Sequence, residues 1–265
     1  MNHIQISIEA NEEQQEILIS ELAELDAIGF EQTPSHLLAY FEENNFKSHE
    51  ITKLLKDHVF HFTTQPTQNW NAVWESNFEP VIVDDFCAIR AEFHKPVEDV
   101  QHEIIITPKM SFGTGHHATT YMMIQQMRNI DFINKKVFDF GTGTGILAIL
   151  AAKLGAASVT AIDNDEWSIK NAKENFEKNN IHSINLYQSS TTPESNFDII
   201  LANINRSVFE QYSSTLVNLL SPKGVLLVSG LLKEDEAFIV ELFDGLTLYN
   251  SQQKQNWISL LFAAK

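Results

Sequence analysis

Cysteine is almost missing from this chain: among 265 residues only Cys87 is present, which excludes an internal disulfide and any zinc site built from several cysteines. Basic side chains are scarce as well. Lys and Arg number 18 against 35 Asp and Glu, a formal net charge of −17. A surface of that sign repels polyanions, so direct nucleic-acid specificity through phosphate contacts is not expected. It suits a basic partner, because opposite charge raises encounter rates, although solubility alone accounts for it equally well. Long apolar runs are absent too: stretches such as "ISLLFAA" near the C-terminal end are too short to span a bilayer. The opening "MNHIQISIEANEEQQ" has no basic stretch followed by an apolar core, so it does not read as a signal peptide. The expected setting is cytoplasmic and reducing, with no membrane association. No internal repeat or low-complexity tract is visible.

What is present is an ordinary core, with 43% hydrophobic and 20% charged residues. Residues 1–62 read as a small α+β unit. "HIQISIE" alternates as a half-buried strand would, and "NEEQQEILISELAEL" sets Ile17, Leu18, Leu22 and Leu25 on one helical face behind a candidate N-cap, Asn11. "AIGFEQT" and "HLLAYFEE" read as two strands, and a second helix starts at Ser48. Strand, helix, two strands and helix predict a ferredoxin-like arrangement. Residues 63–110 form the expected connecting part: a polar linker from Thr63 to Asn71, then "VIVDDFCAIRAEF" and "DVQHEIIITP" as two strands.

Residues 111–265 form the larger expected domain. The strands "KVFDF", "SVTAID", "INLYQ", "FDIILAN", "GVLLVSG", "LTLYNS" and "WISLLFAA" alternate with helices over Ile146–Leu154, Glu166–Asn179, Ser207–Leu220 and Lys233–Phe243. Near-continuous apolar strands joined by helical crossovers predict a doubly wound, mostly parallel seven-stranded α/β sheet. Its last two strands are too close for a helix and predict an antiparallel hairpin at one edge.

In such sheets the ligand sits beyond the carboxyl ends of the strands. The first strand runs into Gly141, Gly143 and Gly145 within "VFDFGTGTGILAIL". A dinucleotide fingerprint G-x-G-x-x-G requires a third glycine where Ile146 stands, so the motif departs from it. Asp139, at the strand tip, would repel a pyrophosphate and attract a cationic ligand. S-adenosylmethionine carries an ammonium group and a sulfonium centre and no phosphate; a turn-capping role for Asp139 is the plainer alternative. Asp163, at the tip of the second strand, is placed to bind a ribose diol, and Glu166 and Trp167 are candidates to reach an adenine. Asn203, at the tip of the fourth strand, can both donate and accept. The Asn203-Ile204-Asn205 run lacks the Pro-Pro-aromatic sequence of enzymes that methylate base amines. His116 and His117 are adjacent, so their side chains diverge, and no metal-ligand spacing surrounds them.

"FGTGHHATT", "DFGTGTGILAI", "LGAASVTAIDND" and "IILANI", in that order, resemble the ribosomal protein L11 methyltransferases, the PrmA family, through Phe112–Ile204. The Trp70, Trp74, Phe78–Pro80 pattern is similar to that family's inter-domain segment. The resemblance implies a class I, S-adenosylmethionine-dependent enzyme that methylates lysine ε-amines or the N-terminal α-amine of a basic large-subunit ribosomal protein. It implies a substrate-recognition role for the N-terminal domain, and by position it assigns Thr120, Gly141, Asp163 and Asn203 to the cofactor. Adding the turn, the expected cofactor residues are Thr120, Asp139, Gly141, Gly143, Gly145, Asp163 and Asn203. Asn203 is also expected to orient the incoming amine, and no metal is expected. Departures from the family pattern occur at Thr142 and in "NINRS", the second close to the expected transfer centre. A monomer is expected. The alternatives are a methyltransferase for another protein or a small molecule, a nicotinamide-dependent oxidoreductase, and a non-catalytic binding protein.

Overall fold

The computed structural model describes residues 3–65, 79–107 and 115–265, and its contacts divide the chain into two compact units, Met1–Phe78 and Glu79–Lys265. Within 1–78, strands β1 (His3–Glu9), β2 (Gly29–Gln32), β3 (His36–Glu42) and β4 (Phe60–Gln65) pair antiparallel in the order β2-β3-β1-β4. Helix α1 (Glu12–Ala23) starts at a reciprocal cap, in which the Gln14 amide donates to Asn11 Oδ1 and the Asn11 amide to Gln14 Oε1, both at 3.0 Å. Strand alternation turns Ile6, Ile8, Leu37, Ala39 and Phe41 to one side, where they meet Leu18 and Leu22 of α1 and Ile51 of α2 (Ser48–Leu54). Strand β4 is an addition to the expected elements. Residues 61–64 are exposed, so an edge strand presents the polar composition of a linker. Its backbone nonetheless pairs with β1, Phe62 opposite Ile6. The rest of the expected linker, with Trp70, Trp74 and Phe78, lies outside the described residues, as do Met110–Thr114 ahead of the double histidine.

The second unit opens with a small sheet, β5 (Val81–Val83), β6 (Cys87–Ala91) and β7 (His102–Ile106). "VIVDDFCAIRA" was expected to be one strand and forms two, because Asp84 takes a positive φ of 51° and turns the chain. The remainder is the doubly wound sheet: β8 (Lys136–Phe140), β9 (Ser158–Asp163), β10 (Ile184–Gln188), β11 (Phe197–Asn203), β12 (Leu220–Leu232), β13 (Leu246–Lys254) and β14 (Trp257–Ala264). Its order is β10-β9-β8-β11-β12-β14-β13, parallel through β12, with β14 and β13 antiparallel at the edge. Helices α3 (Ala118–Met127), α4 (Ile146–Lys153), α5 (Glu166–Lys178), α6 (Arg206–Asn218) and α7 (Glu236–Leu242) complete it.

Phe138 and Phe140 of β8 pack with Phe209 and Leu216 of α6, and Phe138 stacks on Phe197 at 5.0 Å between ring centroids. Helix α5 ties the small sheet on. Asn179 Oδ1 accepts from the Ile105 amide (3.0 Å) while its Nδ2 donates to the Ile105 carbonyl (2.6 Å), and Asn175 Oδ1 accepts from the Thr107 amide (2.8 Å). Asn175 Nδ2 donates to the Thr144 carbonyl (2.8 Å), so one buried amide joins the small sheet to the glycine turn. The strand order reverses between β8 and β11, which opens a crevice at their carboxyl ends.

Candidate active site

That crevice holds a cavity of ≈ 530 Å³. Phe140, Gly141 and Gly143 line it with Ile162, Asp163 and Asn164 at the end of β9, Ser189 and Ser190 after β10, and Ser168 of α5. Asn203, Ile204 and Asn205 at the end of β11, three side chains of α6, Gly230, His117 and Trp257 complete the lining.

The turn after β8 explains its own glycine spacing. Gly145 caps α4 at φ 83°, and a Cβ there would lie 2.4 Å from Phe176 and 3.2 Å from Ala172 of α5. It therefore allows the close packing that the third glycine of a dinucleotide fingerprint provides, one residue earlier. Behind the turn Asp139 is 1% exposed. Its Oδ2 accepts from Thr142 Oγ1 at 2.6 Å and its Oδ1 has no partner. Burial pushes the Asp139 carboxyl up to about 7, against the downward pull of the Thr142 hydrogen bond, and the Asp163 charge adds to the rise. Thr142, a departure from the family pattern, thus orients a carboxylate. Asp163 accepts from the Gly143 amide (2.9 Å) and the Asp165 amide (3.0 Å), which fixes the carboxylate on the wall. Asp165 caps α5 through the Ser168 amide (2.9 Å).

Across the cavity Asn203 Nδ2 donates to Thr120 Oγ1 (3.3 Å), while Asn203 Oδ1 is buried without a partner. His117 caps α3; its Nδ1 accepts from the Thr119 amide (3.4 Å) and lies 2.8 Å from Thr119 Oγ1. The His117 ring meets Trp257 edge-on, 4.5 Å between centroids. Asn205 caps α6 through the Val208 amide (3.2 Å).

Of the seven expected cofactor residues, Gly141, Gly143, Asp163 and Asn203 line the cavity. Thr120, Asp139 and Gly145 are not among the lining residues; Thr120 touches the wall through Asn203, and Asp139 is bonded to Thr142, which stands between the two lining glycines. Trp167, a candidate for the adenine, is 72% exposed and is not among the lining residues; Lys170 lies over its ring. Arg206 turns away from the cavity. It pairs with Glu210 and Asp235, both at 2.9 Å, and lies over Phe238 at 4.2 Å. Sequence reasoning passed over Ser189 and Ser190, which the strand-tip rule could have found after "INLYQ". It also passed over Gly230, the last residue of the expected strand "GVLLVSG", which the same rule marks, and Tyr212 and Trp257, which no local pattern marks.

The family model for "Ribosomal protein L11 methyltransferase (PrmA)" matches residues 2–265. Among curated proteins, the ribosomal protein L11 methyltransferase of Porphyromonas gingivalis is 40% identical over 260 residues, 93% of this chain and 90% of that protein. The protein of the same name from Chlorobaculum tepidum is 35% identical and matches 100% of this chain and 97% of its own. Among solved structures, the ribosomal protein L11 methylase of Lactobacillus delbrueckii subsp. bulgaricus superposes with a TM-score of 0.66 at 29% identity, over 71% of this chain and 100% of that one. A T. thermophilus 16S rRNA methyltransferase, solved with AdoMet and guanosine, shares the fold at a TM-score of 0.50 and 20% identity, over 58% of this chain and 45% of that one.

Proposed function

The chain belongs to the family of ribosomal protein L11 methyltransferases, and from that premise we propose that it methylates amino groups of ribosomal protein L11, lysine ε-amines or the N-terminal α-amine, with S-adenosylmethionine as methyl donor. The observation that carries this reading is the charge of the cavity wall: it holds the Asp163 carboxylate, and no Lys or Arg is among its described residues. A pyrophosphate asks for positive ends and donors. A nucleoside with an ammonium group and a sulfonium, and no phosphate, fits the carboxylates of Asp163 and, behind the turn, Asp139.

In this reading Asp163 takes the ribose diol, Gly141 and Gly143 let the ligand lie on bare backbone, and Asp139 complements the ammonium charge. Thr120 and Gly145 support the site from behind. The unit at residues 1–78 is the substrate-recognition domain. Between residues 3 and 65 it carries twelve acidic residues against three lysines, which suits a basic ribosomal protein.

The bound cofactor supplies a methyl group already activated on sulfur. The protein has to deliver a neutral amine in line with it. At pH 7 a lysine of pKa about 10.4 gives up its proton at a cost of about 4–5 kcal/mol, and an α-amine at about 1 kcal/mol. Ile204, Val208 and Trp257 on the wall exclude water, which lowers the pKa of an amine and removes part of that cost. The unpartnered Asn203 Oδ1 accepts an amine N–H and sets the nitrogen's lone pair. Alignment can supply several kcal/mol without a dedicated base, and none is assigned.

The test is mass spectrometry of ribosomal protein L11 after incubation with enzyme and S-adenosylmethionine, where added methyl groups are expected on amines. Asn203→Ala is expected to slow this transfer by about ten- to a hundredfold; near-normal turnover would remove Asn203 from the amine's path. Asp139 gives a pH signature. Its value of about 7 means that it holds a proton below neutrality in the free protein, and a bound cation expels that proton. Affinity for S-adenosylmethionine is therefore expected to rise about fivefold from pH 6 to 7, below the range where an α-ammonium titrates. Calorimetry in two buffers of different ionisation heat should show proton release in the wild type and none in Asp139→Asn. Without ligand the dependence runs the other way: a raised carboxyl favours folding at low pH, and that contribution is lost as pH climbs through about 7.

A further inference from the structure

We infer that Gln126, which lies outside the cavity, is a positioning residue for methyl transfer and acts through the wall formed by His117 and Trp257. The inference rests on the methyltransferase reading above. Gln126 is 1% exposed on α3. Its Nε2 donates to Ser259 O (3.0 Å) and Ser259 Oγ (2.9 Å), and its Oε1 accepts from Asn250 Nδ2 (3.2 Å). Ser259 is itself fully buried on β14; it faces Ser229 of β12 and donates to the Val228 carbonyl (3.1 Å). Ser229 Oγ donates to the Ile258 carbonyl (2.7 Å). One side chain thus binds α3 to both strands of the last hairpin, and satisfied buried networks of this kind select one packing among several.

The apolar contacts of α3 cannot do this alone. Its buried face carries Met122, Met123, Ile124 and Met127, and methionine adapts to many packings. Tyr121 and Gln125 bond to Asp84, and Arg128 at the end of the helix to Asp85; these run to the turn after β5, so Gln126 supplies the amide bonds to the hairpin, and without them the helix can slide against it. Its position matters at the other end, where His117 caps it against Trp257 and Thr120 receives Asn203 Nδ2. Trp257 lies two residues from Ser259 on the same strand. A slide of α3 against the hairpin would displace the His117–Trp257 wall and the Thr120–Asn203 bond together, while the turn at Gly141–Gly145 and Asp163 stay in place on other elements.

The test compares wild type with Gln126→Leu, labelled with fluorotryptophan. Four tryptophans give four signals, and Trp257→Phe identifies the one from Trp257. Gln126→Leu is expected to lower kcat for ribosomal protein L11 about tenfold, with the Kd for S-adenosylmethionine changed less than about threefold. The Trp257 signal should shift or broaden while that of Trp167 stays. An unchanged kcat, or a Trp257 signal at its wild-type position, overturns the inference. So does a kcat that falls in step with cofactor affinity, since Gln126 would then only hold the fold. If Gln126→Leu does not fold, Asn250→Ala removes the bond to Oε1 from the partner's side, and the same two readouts decide. Absence of methyl transfer by the wild type would instead count against the proposed function; the Trp257 signal needs no substrate and still reports on Gln126.

Discussion

Asp163→Ala is expected to weaken S-adenosylmethionine binding by at least about a hundredfold, close to 2.7 kcal/mol. Two effects combine. A carboxylate that accepts from both hydroxyls of a ribose makes charge-assisted bonds of about 1.5–3 kcal/mol each. The same carboxylate also holds the Gly143 and Asp165 amides at 2.9 and 3.0 Å, so its loss frees the turn on which the ligand rests. Asp163→Asn keeps one acceptor oxygen and removes the charge; about a tenfold loss is expected. Titration calorimetry measures both. Binding by Asp163→Ala within about threefold of wild type would mean that the ribose is held elsewhere.

Gly230→Ala is expected to cost both stability and activity. Gly230 sits at φ +86°, and a Cβ there would stand 2.2 Å from the Ile204 carbonyl oxygen and 2.8 Å from its carbon. The left-handed conformation costs an alanine roughly 1–2 kcal/mol, and forcing a methyl into filled space typically costs about 1–3 kcal/mol more. The obstacle is backbone, so no side-chain rotation relieves it. About 3 kcal/mol corresponds to a fall in Tm of roughly 6–12 °C for a domain of this size. Relief comes only by moving Ile204, next to Asn203, so methyl transfer should drop below about a hundredth of wild type even in the folded fraction. Gly245→Ala is the comparison: nothing lies within 4 Å of the point where its added methyl would stand, and its φ is not positive, so a change within about ±0.5 kcal/mol is expected. Equal behaviour of the two variants in thermal melts and turnover would refute the assignment.

The large sheet was readable because its central parallel strands β8, β11 and β12 carry near-continuous apolar runs that end where the chemistry begins. Gly141, Gly143, Asp163 and Asn203 reach the cavity by that local rule alone. Trp257 follows no local rule. It arrives there only because β14 inserts between β12 and β13, a pairing decided by the whole sheet. Strand β4 escaped because an exposed edge strand and a linker share a composition. The "NINRS" departure is divided by the structure: Asn203, Ile204 and Asn205 of this stretch line the cavity, whereas Arg206 is not among the lining residues and is held by Glu210, Asp235 and Phe238. Asp235, 29 residues further along the chain, is a charge partner that a short motif does not show.

The asparagines of α5 have a consequence for solubility. An open strand edge invites a strand from another molecule, and one such pairing can seed an extended intermolecular sheet. The outer edge of β7 meets side-chain amides instead, each a peptide group carried on a short stalk, with Asn179 answering both the donor and the acceptor of Ile105. A helix therefore stands where the next strand would add, and among the described residues the small sheet stops at three. Asn179→Leu would leave the Ile105 amide and carbonyl open to another chain, and the protein's tendency to associate on concentration should rise accordingly.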